Sequence, residues 1–430
     1  MNTPLQGKIF FLLFSFIWSF AFAQGTVLDR YIQEGLEQNQ ALQRQDLNYQ
    51  RSLSALQEAR GLFYPKVEFN ASYTLAAGGR TIQFPVGDLF NPVYGTLKQL
   101  TESQTFPTIL ENEDIQFLPN NFHETKFRVT QPLFNSDIYF NQKAKEQQVE
   151  VAKLGKAAYQ RELVKEIRTA YIQYLQVYTS EGIYAEAEQL LKEILRVNKK
   201  LVANQKATPQ VLSQAEFELS QVEAQQALQE AQTKTAASYF NFLLNRPLDT
   251  PLEIDSNITQ LLADQNLPDL QQAALDTRPE LAQLAAAQEA NQQAMDLYKY
   301  KALPQMGVLL EGGFQGFGYT FERDQAYFLG ALSLTWNLFE GRQNQQRRAQ
   351  AQIDQEILQN QQTEVAQQVQ LQVTQAFYAL QAAQSQVQSA LKGLNSAEDA
   401  FDQAQKRYLQ QQASFLELTQ ASTTLPQAQL

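Results

Sequence analysis

The sequence predicts a mixed α and β membrane protein: short strands that cross a bilayer, helices too long for a globular body, and two internal structural repeats. Three observations lead there. First, Ile138 to Asn204 runs without a proline, and its apolar residues fall at steps of three and four: Leu163, Ile167, Ala170, Tyr174, then Leu190, Ile194, Val197, Leu201. That spacing makes one narrow stripe on a helix roughly 100 Å long, polar on its other faces and so unsuited to lipid. Second, several stretches alternate apolar and polar residues with the length of a bilayer-crossing strand. Third, the whole order of elements occurs twice.

In chain order, Lys8 precedes an uncharged apolar run, Ile9 to Phe22, and Ala21-Phe22-Ala23 follows the small-x-small pattern. Residues 1–23 therefore read as a secretory signal peptide, since about 14 apolar residues span a bilayer poorly. The chain has no cysteine, which excludes disulfides, thiolate metal sites and cysteine-linked lipid. With 34 basic against 45 acidic side chains it is acidic overall, which argues against nucleic acid as a partner. No later segment reaches 18 apolar residues, so any further membrane crossing must be made by strands.

Gln24 to Gly61 has a helical pattern (Leu28, Ile32, Leu36, Leu42, Leu53, Leu56) that Pro65 stops. Val67, Phe69, Ala71 and Tyr73 then alternate with polar residues, the first membrane-length strand. Leu75 to His123 is rich in Gly, Pro, Asn and aromatics without a period, and reads as a long surface loop. Phe127, Val129 and Leu133 alternate with Lys126, Arg128 and Thr130 in a second strand ending at Gln131-Pro132-Leu133-Phe134. After the long helix comes a break near Lys206 to Pro209, then a second helix from Gln210 to Leu244 and a polar connector over 245–269.

The same order returns in residues 270–430. Leu36, Leu42 and Pro65 match Leu275, Leu281 and Pro304, all displaced by 239 residues. Met306, Val308 and Leu310 alternate, a short loop covers Gly312 to Ala326, and Phe328 to Leu338 forms the next strand. Leu133-Phe134 matches Leu338-Phe339 at a displacement of 205, and Lys200 and Leu212 match Lys406 and Leu418 at 206. The first repeat is thus 24–244 and the second 270–430. Leu430 aligns with Ala224, so the last helix reads as shortened relative to its counterpart.

Four strands per chain cannot close a barrel, and lipid does not tolerate an open edge, so several chains must share one. Three chains give twelve strands; two give eight, whose interior side chains would fill. The duplication, Pro65 and Pro304 before strands, the Gln131-Pro132-Leu133-Phe134 element with its degenerate copy Trp336-Asn337-Leu338-Phe339, and the helix breaks resemble the TolC-type outer-membrane efflux proteins. The resemblance covers essentially the whole chain after the signal peptide. It implies a homotrimer in the outer membrane: a twelve-stranded β-barrel continued by an α-helical barrel across the periplasm, working with a periplasmic adaptor and an inner-membrane RND pump or ABC exporter.

The family's tube closes at the helix breaks, here Val202 to Leu212 and Tyr408 to Leu418. The resemblance places Tyr408 on the family's gate tyrosine, with Glu417 and Gln420 on two acidic entrance positions. It makes Gln205, Lys206, Thr208, Gln411, Ala413 and Ser414 the adaptor-contacting tips. Ala413 stands where the type member has a latch arginine, Val211 where it has an acidic partner, and Gln205 and Gln411 where glycine is usual. Three Glu417 carboxylates around a narrow entrance would concentrate cations; the bland reading of Glu417 is a solvated helix-end residue, and that of Tyr408 is ordinary packing.

No enzyme chemistry or cofactor is indicated. His123 is the single histidine, Glu111, Glu113 and Asp114 offer at most a weak cation site, and no phosphate-binding glycine motif is present. The function expected is a passive exit duct for small molecules. The alternatives are the outer component of a type I protein secretion system and, in a different class, a periplasmic coiled-coil scaffold.

Overall fold

Helices dominate the computed structural model of the chain, which describes residues 26–107, 109–255 and 266–430. Residues 1–23, expected from the sequence to be a signal peptide, lie outside them. In chain order the elements are α1 (Val27–Gln38), α2 (Gln40–Gly61), β1 (Lys66–Thr74), β2 (Thr81–Phe84), α3 (Val86–Thr101), β3 (Glu113–Gln116), β4 (Phe122–Phe134), α4 (Ser136–Ala203) and α5 (Gln210–Leu243). Then follow α6 (Leu267–Thr277), α7 (Pro279–Tyr300), β5 (Gln305–Phe317), β6 (Ala326–Thr335), α8 (Gln343–Leu409) and α9 (Phe415–Gln429). Contacts divide the chain into two units. One comprises the residues up to Leu47 with Gly155–Pro279 and Ala366–Leu430; the other comprises Asn48–Leu154 and Glu280–Val365.

The second unit holds a four-stranded antiparallel sheet in the order β1-β4-β5-β6. The pairing of Phe69 with Phe127 and of Val129 with Leu310 puts the alternating apolar residues on one face, with Phe314, Phe328 and Leu332. The other face carries Glu68, Lys126, Arg128 and Glu311, with Lys126 3.2 Å from Glu311 and Arg128 also paired to it. Prolines set the strand starts: Pro65 and Pro304 cannot continue a helix and favour extended backbone before them. Pro132, which lacks an N–H, sits at the one register shift between β4 and β5. Among the described residues β1 and β6 are the edges of this sheet.

In the first unit the stripe read from the sequence becomes the core. Leu163, Ile167 and Tyr171 of α4 are fully buried against Tyr31, Leu42, Phe240 and Leu244, each large side chain contributing on the order of 1.5–3 kcal/mol. Tyr31 and Tyr171 also fix the connector: the Glu253 N–H donates to the Tyr31 hydroxyl at 2.8 Å, and the Tyr171 hydroxyl donates to the Glu253 carbonyl at 2.9 Å.

Three expectations change in detail. The first helical stretch is two helices, because Asn39 is extended (ψ 122°), caps α2 by accepting from the Leu42 N–H at 3.0 Å, and donates to the Leu243 carbonyl at 2.9 Å. The equivalent interruption between α6 and α7 falls at Arg278, 239 residues on, where Pro279 imposes it. The long aperiodic loop contains α3 and the β2–β3 ribbon, and Asn91 stitches them in place: its amide donates to the Leu110 carbonyl at 2.9 Å and accepts from the Leu110 N–H at 2.8 Å. Finally, β6 ends at Thr335, because the Trp336 indole N–H turns to the Ala302 carbonyl at 2.8 Å and leaves the ladder.

Candidate functional site

The two breaks between long helices are built alike. After α4 the Lys206 N–H returns to the Leu201 carbonyl at 2.8 Å and Gln205 adopts a left-handed φ of 56°; after α8 the Gln412 N–H returns to the Arg407 carbonyl at 2.8 Å and Gln411 has φ 64°. This is the hydrogen-bond closure of a Schellman-type helix end. Glutamine at these positive φ values costs stability that glycine would not, so the cap bonds must hold the turn.

Below the breaks the helices share a small apolar cluster. Leu191 and Ile194 of α4, Ala215 of α5, Phe401 and Tyr408 of α8, and Phe415 and Leu418 of α9 are all buried in it. Tyr408 packs against Phe415 at a ring distance of 6.0 Å and donates its hydroxyl to Asn198 Oδ1 at 2.5 Å. Burial raises the Tyr408 pKa above the ordinary 10.0. Asn198 is fully buried, and its amide nitrogen has no hydrogen-bond partner among the described residues. Tyr408 is thus one half of a buried polar link joining α4 to α8, set in apolar surroundings where an unmade bond is costly.

Glu417 and Gln420 are exposed in this chain. Glu417 completes a capping box at the start of α9, its N–H donating to Ser414 Oγ at 3.2 Å while its carboxylate accepts from the Ser414 N–H at 3.4 Å. Its carboxylate also lies 3.6 Å from Arg407, an exposed pair of small energetic weight. Gln205, Lys206, Thr208, Gln411 and Ser414 are exposed at the breaks, and Ala413 is half-buried against the cluster. The residue that sequence reasoning missed is Asn198. Its signal was available: a polar side chain on the stripe of Ile194 and Leu201, where every neighbour at helical spacing is apolar.

The weaker sequence candidates sit elsewhere. His123 is buried at the end of β4 between Tyr319 and Phe321, with Nε2 3.0 Å from Gln325 Oε1. Glu111, Glu113 and Asp114 are exposed. Among the described residues no group of three or more His, Asp and Glu gathers as a metal site would need, and no helix is long and apolar enough to cross a membrane.

Residues 270–430 match the family model of outer membrane efflux proteins. No curated protein matches the chain in sequence. Among solved structures the chain resembles the outer membrane protein VceC of Vibrio cholerae, with 17% identity, a TM-score of 0.74, and 94% of this chain and 90% of that one covered. A membrane protein from Pseudomonas aeruginosa gives 16% identity and a TM-score of 0.75, over 94% of this chain and 88% of that one. The open state of the Neisseria gonorrhoeae MtrE outer membrane channel gives 14% identity and a TM-score of 0.74, over 94% and 84%. At these identities the likeness is one of fold.

Proposed function

We propose that this chain is a TolC-type outer-membrane efflux protein and serves as the passive exit duct of a tripartite efflux system, a reading supported by the family match over 270–430 and by the shared fold. The observation that carries the reading is the sheet. One face is apolar over the length of a bilayer, with Phe328 and Leu332 exposed, and both edges, β1 and β6, have no strand partner among the described residues. Such a sheet is stable in hydrocarbon only when the edges meet other copies. Three copies give a twelve-stranded barrel with the Lys126, Arg128 and Glu311 face turned to its water-filled lumen. A periplasmic coiled-coil scaffold would leave that apolar face without a suitable medium.

The internal duplication is supported by element spacing. The ends of α1 and α6 and the starts of β1 and β5 lie 239 residues apart, and the left-handed Gln205 and Gln411 lie 206 apart. Gln131 donates to the Phe63 carbonyl at 2.7 Å as Trp336 does to that of Ala302, the same contact in each half. The helices would form a periplasmic tube that narrows at the breaks, with Tyr408, Glu417 and Gln420 at the entrance. Gln205, Lys206, Thr208, Gln411, Ala413 and Ser414 would present the tips to an adaptor. An inner-membrane RND pump or ABC exporter supplies the energy, and the cargo is small molecules.

Single-channel recording of the reconstituted protein tests the reading. The duct should conduct, and divalent cations added on the tip side should block it, with block weakened about tenfold in Glu417→Gln as three carboxylates are lost. A protein that inserts and never conducts, with or without the substitution, would overturn the assignment.

A further inference from the structure

The turn between β6 and α8 is chemically unlike its counterpart in the first half. Trp336, Leu338 and Phe339 are exposed, the last two at 78% and 84%, and Arg342, Arg347 and Arg348 follow within nine residues, all exposed. No acid occurs between Glu340 and Asp354, in a chain whose net charge is −11. Among the described residues none of the three guanidinium groups takes part in an ion pair or hydrogen bond. In the first half the matching turn leads into α4, whose first turn carries an acid, Asp137, set 3.8 Å from Lys301.

The turn is well fixed. The Trp336 indole N–H bonds the Ala302 carbonyl at 2.8 Å, Asn344 donates to the Tyr298 carbonyl at 2.7 Å, and Asn337 donates to Glu340 at 2.9 Å. With its N–H satisfied, the Trp336 ring presents an apolar surface where an apolar strand meets a polar helix, the position Trp favours at a membrane interface. Arg347 and Arg348 lie roughly 6–8 Å along the helix from Gln343, about the depth of a headgroup layer, and their stems can reach back toward it. Helix stability does not account for the arginines, because cations near a helix start oppose its dipole.

We propose that the Trp336–Arg348 turn binds the headgroup of an anionic phospholipid, with Trp336, Leu338 and Phe339 entering the acyl layer and Arg342, Arg347 and Arg348 holding the phosphate. Charge complementarity selects the occupant: three unpaired guanidinium groups beside exposed aromatic and aliphatic side chains match a molecule that is anionic at one end and apolar at the other. The location at a bilayer surface rests on the duct reading; the anion preference can be measured separately.

The test uses the purified protein in mild detergent with phosphatidylethanolamine, phosphatidylglycerol or inorganic phosphate added, and native mass spectrometry to count retained lipids. Wild type should retain phosphatidylglycerol over phosphatidylethanolamine, and R342Q/R347Q/R348Q should lose that preference by about tenfold or more while its oligomer and conductance persist. Equal retention by the triple variant, or no preference in wild type, overturns the proposal. So does competition by inorganic phosphate as effective as by lipid. If Phe339→Ser dissociates the oligomer and leaves lipid retention unchanged, the surface is covered by a second copy and the proposal also fails. An arginine-dependent preference in a protein that does not conduct would sustain this site and remove the duct.

Discussion

Tyr408 and Asn198 carry more weight than their single hydrogen bond suggests, because both are buried and Asn198 has no other partner for its side chain among the described residues. Tyr408→Phe would strand the Asn198 amide in an apolar cluster at a cost of about 1–3 kcal/mol. The expected result is a raised resting conductance and a lower denaturant midpoint for the tip, read by hydrogen exchange of residues 190–205. Asn198→Leu with Tyr408→Phe should restore part of the loss, since two apolar groups leave nothing unpaired. The link also has a pH signature. Burial raises the Tyr408 pKa above its ordinary 10.0, so its folded pKa exceeds the unfolded one. The contribution is therefore complete below about pH 10 and lost as pH rises through the folded value. Wild-type conductance should climb in that alkaline window. The Phe variant, already loosened, should show no such step, whereas the buried Tyr171 and Tyr174 titrate in both proteins.

Elements were legible from the sequence wherever hydrophobic period or proline decided them. The 68-residue α4 and 67-residue α8 follow from uninterrupted helical spacing, and β1 begins right after Pro65. What escaped was decided by side chains acting at a distance. Asn39 breaks a helix by bonding Leu243, and Asn91 folds α3 onto Leu110; neither bond leaves a local pattern. At the tip, Asn198 stands out in the sequence as a polar residue on an apolar stripe, but its bond to Tyr408 of α8 is visible only in space. Two element-level consequences can be checked. Asn91→Ala removes both bonds to Leu110, and limited proteolysis should then cut readily between Glu102 and Asn112 while the rest of the chain resists. A Cβ at Gly313 would overlap the Thr125 carbonyl across the β4–β5 pair, so Gly313→Ala should weaken the sheet by about 1–3 kcal/mol and lower the temperature at which heat-modifiable migration in detergent is lost.

Among the described residues, the order β1-β4-β5-β6 joins the N-terminal and C-terminal strand pairs through β4 and β5 and leaves β1 and β6 as the edges of the sheet. The purified protein should behave as a single oligomeric species that dissociates cooperatively. A proline at Ser333, in edge strand β6, should abolish that oligomer while leaving helix content largely intact, as circular dichroism and sedimentation would show. The same order constrains biosynthesis. β4 ends at Phe134 and its partner β5 begins at Gln305, so all of α4 through α7 must be translated before β4 gains its second neighbour. For that interval the apolar side of the β1–β4 hairpin stays wet and adhesive. A nascent chain stalled before residue 305 should thus be a favoured client of holding chaperones, and one extended past Thr335 much less so.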